Sequence, residues 1–303
     1  GGASILKNHD DNEILGIVPK SYIPNNPEYS EGRWFVSGNE YFCDEIEVLG
    51  NIVPFGKLVF ENEDQKCSFG CEIGEDLMSV SAPNETLYAN NAIMIFNSSA
   101  SPEYLNKDMF RKIMVQSASY KYNGAYIYAS SGANESSSEV LFSGQKIIVE
   151  NGEVINESNE VNLNTEILIA DIDINKLHYL RQKNGWVKNA SDLLSDEIIT
   201  VPYHLQETVE FIFEKEMDKL PFVPKKEEDY KKIIDMQATS VMKRLNYIGI
   251  KKTVIGVSGG LDSTLALLSL CYMCDKYNID RSNIVALTLP SSNNSSVTYT
   301  NSL

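Results

Sequence analysis

TVIGVSGGLDS, residues Thr253–Ser263, passes from an apolar run through paired glycines into a second apolar run, Asp262–Cys274. The first run has the length and β-branched content of a buried strand, the second the length of a helix. Gly259 and Gly260 permit a sharp turn and a close backbone approach to a ligand. A helix opening at such a turn presents unpaired N–H groups and the positive end of its dipole. That makes an anion site suited to pyrophosphate. The hydroxyls of Ser258 and Ser263 add donors, and Asp262 can hold Mg2+ against phosphate oxygens. The loop lacks the lysine that a Walker A motif carries before its last hydroxyl residue.

Downstream, Ile284–Leu289 reads as a second strand, which completes one βαβ unit of a doubly wound parallel sheet. Upstream, Lys226–Leu245 reads as a long helix, and Leu220–Lys225 (LPFVPK), with two prolines, as a linker. Leu205–Lys219 can form a helix, and Arg181–Val201 is polar and mixed. Before about Tyr179 the pattern changes to short strands: Glu13–Val18, Lys57–Phe60, Cys67–Ile73, Ala92–Phe96, Ala125–Ala129 and Glu166–Asp171. Lys146–Glu150 and Glu153–Asn156 flank Asn151-Gly152, a strong hairpin-turn signal. Lys107–Tyr122 reads as a helix, with Met109, Ile113 and Ala118 near one face. Strands apolar on both faces imply covered sheets, hence layered α/β. The expected division is 1–180, a connecting segment 181–224, and 225–303.

The chain has 303 residues, 43% hydrophobic and 22% charged, which suits about two packed domains. A net charge of −16 argues against a broad nucleic-acid surface. Five cysteines in a chain this long do not imply a disulfide scaffold. Cys271 and Cys274 have zinc or redox spacing, but they sit on an apolar helix and read as core. No apolar run reaches the ~18 residues of a membrane span, and the opening GGASILKNHDDNEILG lacks a signal-peptide pattern. A cytoplasmic location is expected. Both ends read as the interior of a domain.

The loop Ser258–Ser263 resembles that of the N-type ATP pyrophosphatases, enzymes that adenylate a carboxylate or carbonyl and release pyrophosphate. The resemblance implies ATP contacts at Gly256, Val257, Ser258, Gly259, Gly260, Leu261, Asp262, Ser263 and Leu289, with Mg2+ at Asp262. Several ligases share this loop, so it does not choose among them.

The first half narrows the choice. Leu15–Asn25 (LGIVPKSYIPN), Glu31–Phe35 (EGRWF), Val53–Gly56 (VPFG), Cys71–Leu77 (CEIGEDL), Asn97–Pro102 (NSSASP) and Ala125–Glu139, ending in NESSSE, resemble a nitrilase-type glutaminase domain in order and spacing. A nitrilase-like domain ahead of SGGLDS is similar to the glutamine-dependent NAD+ synthetases. That implies a partial αββα sandwich followed by the start of an adenine-nucleotide α-hydrolase-like domain.

The resemblance also implies chemistry. A cysteine attacks an amide carbon, a glutamate moves protons, and a lysine stabilises the oxyanion. Lys20 matches the lysine and Glu31 a supporting acid; the proton-moving glutamate is expected upstream of Gly1. Where the family pattern reads E-I-C-E-D, this chain has Glu72-Ile73-Gly74-Glu75-Asp76, so the nucleophile position holds a glycine. Cys71 lies three residues earlier, on the opposite strand face and ~10 Å away. For glutamine binding, Ser101 matches a family contact, Asn26 stands where the family often has a tyrosine, and Lys107 where an arginine commonly binds the substrate carboxylate, keeping the charge without the fork geometry; Glu75-Asp76 reads as a turn-shaping pair rather than a metal pair.

The implied reaction joins ammonia to deamido-NAD+ with ATP, and glutamine is the usual ammonia source. Gly74 leaves open a non-catalytic, oligomer-forming role for the first half. A different amidoligase with the same loop is a further alternative. Partners are expected to be these small molecules and further copies of the chain.

Overall fold

The computed structural model describes residues 3–7, 13–25, 29–41, 43–62, 66–135, 140–161, 163–191, 198–204, 212–215, 218–220, 222–288 and 296–302. The chain divides into two compact units, Gly1–Glu216 and Met217–Leu303. No helix among the described residues is long and apolar enough to cross a membrane.

In the first unit the strands are β1 (Ala3–Lys7), β2 (Ile14–Pro19), β3 (Glu45–Val48), β4 (Asn51–Pro54), β5 (Leu58–Asn62) and β6 (Cys67–Ile73). Then come α1 (Pro83–Ala89), β7 (Met94–Ser99), α2 (Lys107–Tyr122), β8 (Ala125–Ser130), β9 (Lys146–Glu150) and β10 (Glu153–Ser158). Helices α3 (Ile174–Lys183) and α4 (Gly185–Ser191) and strand β11 (Ile199–Pro202) close the unit.

A seven-stranded mixed sheet runs in the order β10-β9-β8-β7-β6-β5-β11. Its centre, β6-β7-β8, is parallel, with α1 and α2 as the crossovers. The β9–β10 hairpin turns at Asn151 and Gly152, both at positive φ, as a tight primed turn requires. One face of the sheet packs under the helices: Val59, Ile95, Tyr126 and Ile147 meet Leu87, Val115 and Tyr122. The other face, through Leu58, Phe60, Cys71 and Val201, packs on Val18 of β2. Strand β2 serves two cores, because its period of two sends Val18 to the large sheet and Ile17 toward Val53 and Phe55. Helices, large sheet and the β1–β2 pair therefore form three stacked layers of mixed α/β structure.

Several details differ from the sequence reading. Helix α2 has the expected limits, but its buried face is Arg111, Val115, Ala118, Ser119 and Tyr122. Met109 and Ile113 are exposed, at 48% and 51%. A charged residue anchors the inner face, and apolar periodicity cannot register that. Glu166–Asp171 forms no strand; Ile167 and Ile169 both face outward. Residues 212–215 and 218–219 of the expected helix Leu205–Lys219 are not helical, and the remainder lies outside the described residues. Within the expected connecting segment 181–224, β11 instead pairs in parallel with β5 as an edge strand, and Val201 and Tyr203 join the core.

The second unit contains α5 (Glu227–Ile248), β12 (Thr253–Gly256), α6 (Leu261–Lys276), β13 (Ile284–Leu287) and α7 (Ser296–Ser302). Helix α5 opens on Glu227, Glu228 and Asp229, which complement its dipole, and ends at Gly249 in the left-handed region. It packs on α6 through Ala238, Leu245, Leu270, Met273 and Cys274. Asp235 accepts from Tyr272 Oη and Lys276 Nζ, both at 2.8 Å, and so clasps the pair. Strands β12 and β13 are parallel, with α6 as their crossover. Ile255 and Ile284 face the helices, whereas Val254 and Val285 are exposed, so among the described residues only one face of this sheet is covered.

Candidate functional site

In the first unit, Lys20 follows the end of β2 and Gly74 follows the end of β6, at one end of the layered core. Asp76 ties the two strand ends together. Its buried carboxylate accepts from Ile73 N (3.1 Å), Ser21 N (3.2 Å) and Tyr22 N (2.8 Å). Burial pushes that carboxyl above its ordinary range, against the pull of those three amides. Of the expected turn-shaping pair Glu75-Asp76, Asp76 makes the contacts that hold the turn.

Gly74 sits at φ +59°, in the left-handed region, where the strand breaks into a short 3-10 turn, Gly74–Met78. A Cβ built on Gly74 would lie 3.9 Å from Lys20 Cε, Lys20 Nζ and Ser99 Oγ, with nothing nearer. A side chain at position 74 would therefore start in van der Waals contact with the end of the Lys20 side chain. Glu31, in the 3-10 turn Glu31–Arg33, pairs with Lys20 Nζ at 3.3 Å. Tyr29 Oη donates to Ala100 O at 2.6 Å and links that turn to the β7 end. Lys107, in the first turn of α2, pairs with Glu75 at 3.9 Å.

The structure thus brings Lys20, Glu31 and Gly74 together and joins Lys107 to the turn beside them. Ser101 is buried two residues past Ser99, and Arg111 Nη2 donates to its carbonyl at 3.4 Å. Asn26 lies outside the described residues. Cys71 points into the opposite core layer, and burial pushes its thiol up to about 12. It packs in the layer that holds Val18, away from the turn at Gly74.

Sequence reasoning missed a buried polar chain behind Gly74. Gly74 N donates to Asn97 Oδ1 (3.1 Å), and Asn97 Nδ2 donates to Gly74 O (3.2 Å) and to Tyr126 Oη (2.9 Å). Tyr126 Oη donates to Glu72, which also accepts from Asn84 N (2.9 Å) and Asn84 Nδ2. It likewise missed Arg111, which is fully buried. Arg111 donates to Glu103 (2.7 Å), to Gln145 (2.8 Å) and to Pro102 O (3.1 Å), and so holds the loop after β7. The available signal was polar residues in strands apolar on both faces, since buried polar groups need partners.

In the second unit, β12 ends at Gly256 and Val257 N donates to Leu287 O at 2.8 Å, which holds the loop to the neighbouring strand. Gly259 takes φ +80° and lets the chain fold back into α6. Ser263 Oγ lies 3.2 Å from both Ser258 N and Ser258 Oγ, and donates to Gly260 O at 3.1 Å. No side chain caps the N-terminus of α6, and Asp262 is exposed in its first turn. Gly256 through Ser263 thus form one contiguous loop of backbone donors and hydroxyls, while Leu289 lies outside the described residues.

The family model for NAD synthase matches residues 233–303. A glutamine-dependent NAD(+) synthetase of Mycobacterium leprae is 31% identical over 290 residues, covering 91% of this chain and 42% of that protein. The solved glutamine-dependent NAD(+) synthetase of Cytophaga hutchinsonii aligns over 96% of this chain and 45% of its own, at 17% identity and a TM-score of 0.47. A carbon-nitrogen hydrolase of Helicobacter pylori aligns over 65% of this chain and 66% of its own, at 15% identity and a TM-score of 0.48. By sequence the chain is similar to glutamine-dependent NAD(+) synthetases, and it spans about two-fifths of the length of these curated relatives.

Proposed function

We propose that the chain is part of a ligase that converts deamido-NAD+ to NAD+ with ATP and ammonia. The observation that carries this reading is the strand–SGGLDS–helix unit, Thr253–Lys276, inside the stretch matched by the NAD synthase model. The backbone N–H groups of the loop and the uncapped start of α6 bind the pyrophosphate portion of ATP. The Ser258 and Ser263 hydroxyls, bonded to each other and to the loop, turn outward when phosphate oxygens arrive. A carboxylate oxygen of deamido-NAD+ attacks the α-phosphorus and pyrophosphate leaves. Ammonia then attacks the activated carbonyl carbon, and AMP leaves with that oxygen.

The oxygen donors present, Asp262 and the two serines, suit a hard divalent cation. Mg2+ would be held there by Asp262 together with the phosphates, and would neutralise the charge of the leaving group. In the intact protein, exchange of labelled pyrophosphate into ATP should depend on deamido-NAD+. Exchange driven by another carboxylate, with none from deamido-NAD+, would sink the reading in favour of a different amidoligase.

Gly74 favours a second reading for the first unit. With no nucleophile facing Lys20, that half binds or assembles but does not hydrolyse glutamine, and copies of the chain associate through it. Loss of a covalent nucleophile costs several orders of magnitude in rate. The intact protein should therefore use free ammonia far better than glutamine. Equal rates with both, free of contaminating glutaminase, would refute it.

A further inference from the structure

Two arginines of the first unit are sunk into its core, and only one has a counter-charge. Arg111 is paired with Glu103, whereas no carboxylate pairs with Arg181 among the described residues. Arg181 Nε donates to Tyr122 O (3.0 Å) and Asn123 O (3.3 Å) and so caps the end of α2. That uses one of its five N–H groups, and Nη2 is buried with no hydrogen-bond partner. The guanidinium lies over the Tyr88 ring, 5.5 Å from its centroid. Burial pulls it down to about 10, with Tyr88 a smaller opposing influence, so it stays charged at neutral pH. A desolvated charge without a counter-ion costs free energy that a bound anion returns.

Room for an anion lies beside it. Arg181 lines an open cavity of about 530 Å³, within the roughly 300–1,000 Å³ of small-molecule sites. Lys66, immediately before β6, and His178, three residues before Arg181 on α3, line the same cavity. A carbonyl only accepts, so His178 Nε2 donates to Lys66 O, at 2.8 Å, and ties that turn to α3. Nδ1 is left to take a proton when an anion arrives. Glu61 on β5 is the carboxylate on the wall, and it pairs with neither Lys66 nor Arg181 among the described residues. Tyr88 on α1 completes the titratable groups there, and burial raises its phenol well above its ordinary range, so it adds no charge.

Lys66 and Arg181 against Glu61 leave one net positive charge on this wall, and a protonated His178 makes two, in a chain whose net charge is −16. Two positive charges match a phosphate dianion better than a single carboxylate. The volume leaves space for an organic body beside the phosphate.

We propose that this cavity binds a small organic phosphate, with Lys66, His178 and Arg181 as its cationic contacts. The site is separate from the turn at Gly74. Ser68, on its wall, and Gly74 lie six residues apart along the line of β6, about 20 Å. It is also independent of the reaction proposed for the second unit, and holds whether or not that reading stands.

The test is NMR of the unmodified chain with isotope-labelled histidine rings. The chain has three histidines, His9, His178 and His204, and His178→Gln assigns the signal of interest. Glycerol 3-phosphate, added to tens of millimolar, should move the His178 signal saturably and raise the midpoint of its pH titration, while His9 and His204 stay put. Inorganic phosphate should do the same more weakly, and acetate should not. Lys66→Gln should weaken binding about fivefold, as loss of one exposed charge does. Arg181→Met should weaken it about tenfold or more; because Arg181 also caps α2, Lys66→Gln decides the matter if that variant does not fold. A His178 signal that stays flat overturns the proposal, as does a drift shared by all three histidines without saturation, which reports ionic strength alone. Equal affinity for acetate removes the phosphate assignment, and unchanged binding in Lys66→Gln removes the site.

Discussion

Replacing Gly74 with cysteine should turn the Lys20 pocket into a covalent trap for glutamine-like electrophiles. The backbone there holds φ +59°, so a side chain costs about 1–2 kcal/mol of left-handed strain. Steric cost is absent, since the nearest atoms to the new Cβ are 3.9 Å away. Two of those three atoms belong to Lys20, so the thiol lies beside an ammonium. A thiolate about 4 Å from a cation gains up to about 4 kcal/mol at an effective dielectric of 20. At 1.36 kcal/mol per unit, that corresponds to roughly three pKa units as an upper bound. Glu31, 3.3 Å from the same ammonium, and burial both reduce the gain. The new thiol should still titrate below the ordinary value of about 8.5. The assay is the rate of alkylation against pH, read by peptide mass, first with iodoacetamide and then with a chloroketone analogue of glutamine. Exposed Cys43 serves as the internal reference. Adding Lys20→Met should raise the midpoint again. A Gly74→Cys thiol that reacts no faster than Cys43 at neutral pH, with an ordinary midpoint, would refute the argument that this turn aims its side chain at Lys20.

Other substitutions test the remaining parts. Burial raises Glu72 from 4.5 to about 7, so its contribution to stability is fully present below pH 4.5 and is lost as pH rises through about 7. That span is worth at most about 3 kcal/mol; urea denaturation from about pH 5 to 8 should show the decline, and Glu72→Gln should flatten it. Arg111→Met should cost about 3–5 kcal/mol, because it strands the Glu103 carboxylate in a partly buried site and frees the loop at Ser101; a loss under about 1 kcal/mol in denaturant would show that the buried pair is idle. Gly259→Val should lower pyrophosphate exchange in the intact protein at least about tenfold, since φ +80° disfavours a β-branched residue. Circular dichroism should show the helices unchanged, and full exchange in that variant would count against the loop as the anion site.

The sequence made legible whatever repeats with a period or turns on a glycine. The strand–turn–helix at Thr253–Ser263, the Asn151-Gly152 hairpin and the limits of α2 follow from such signals. It did not show which way α2 faces, because its inner residue is an arginine whose charge is neutralised by Glu103, eight positions back in the chain. Glu166–Asp171 (EILIAD) is an apolar run of strand length, yet no neighbouring strand takes it, since pairing is decided by the rest of the sheet. Strand β11 is only four residues long and finds its partner β5 across more than a hundred residues, so no local pattern announces it. Lys20, Glu31 and Gly74 could be named from motif order, while Asn97 and Tyr126 could not be joined to them until the strands were placed side by side.

What keeps the elbow in shape bears on what Gly74 can still do. Asp76 holds it through main-chain amides at Ser21, Tyr22 and Ile73, and Asn97 holds it through the amide and carbonyl of Gly74 itself. None of these contacts involves a side chain at position 74. Removing a nucleophile from such a turn takes away the attacking atom and, because glycine is at ease at φ +59°, also relieves about 1–2 kcal/mol of strain. The Lys20–Glu31 pair and the Lys107–Glu75 pair are likewise built from other positions. The architecture of an amide pocket can therefore outlast its chemistry. A turn that keeps its charged pairs and its main-chain bonds while lacking a nucleophile would be expected to hold a polar ligand rather than to form a thioester with it.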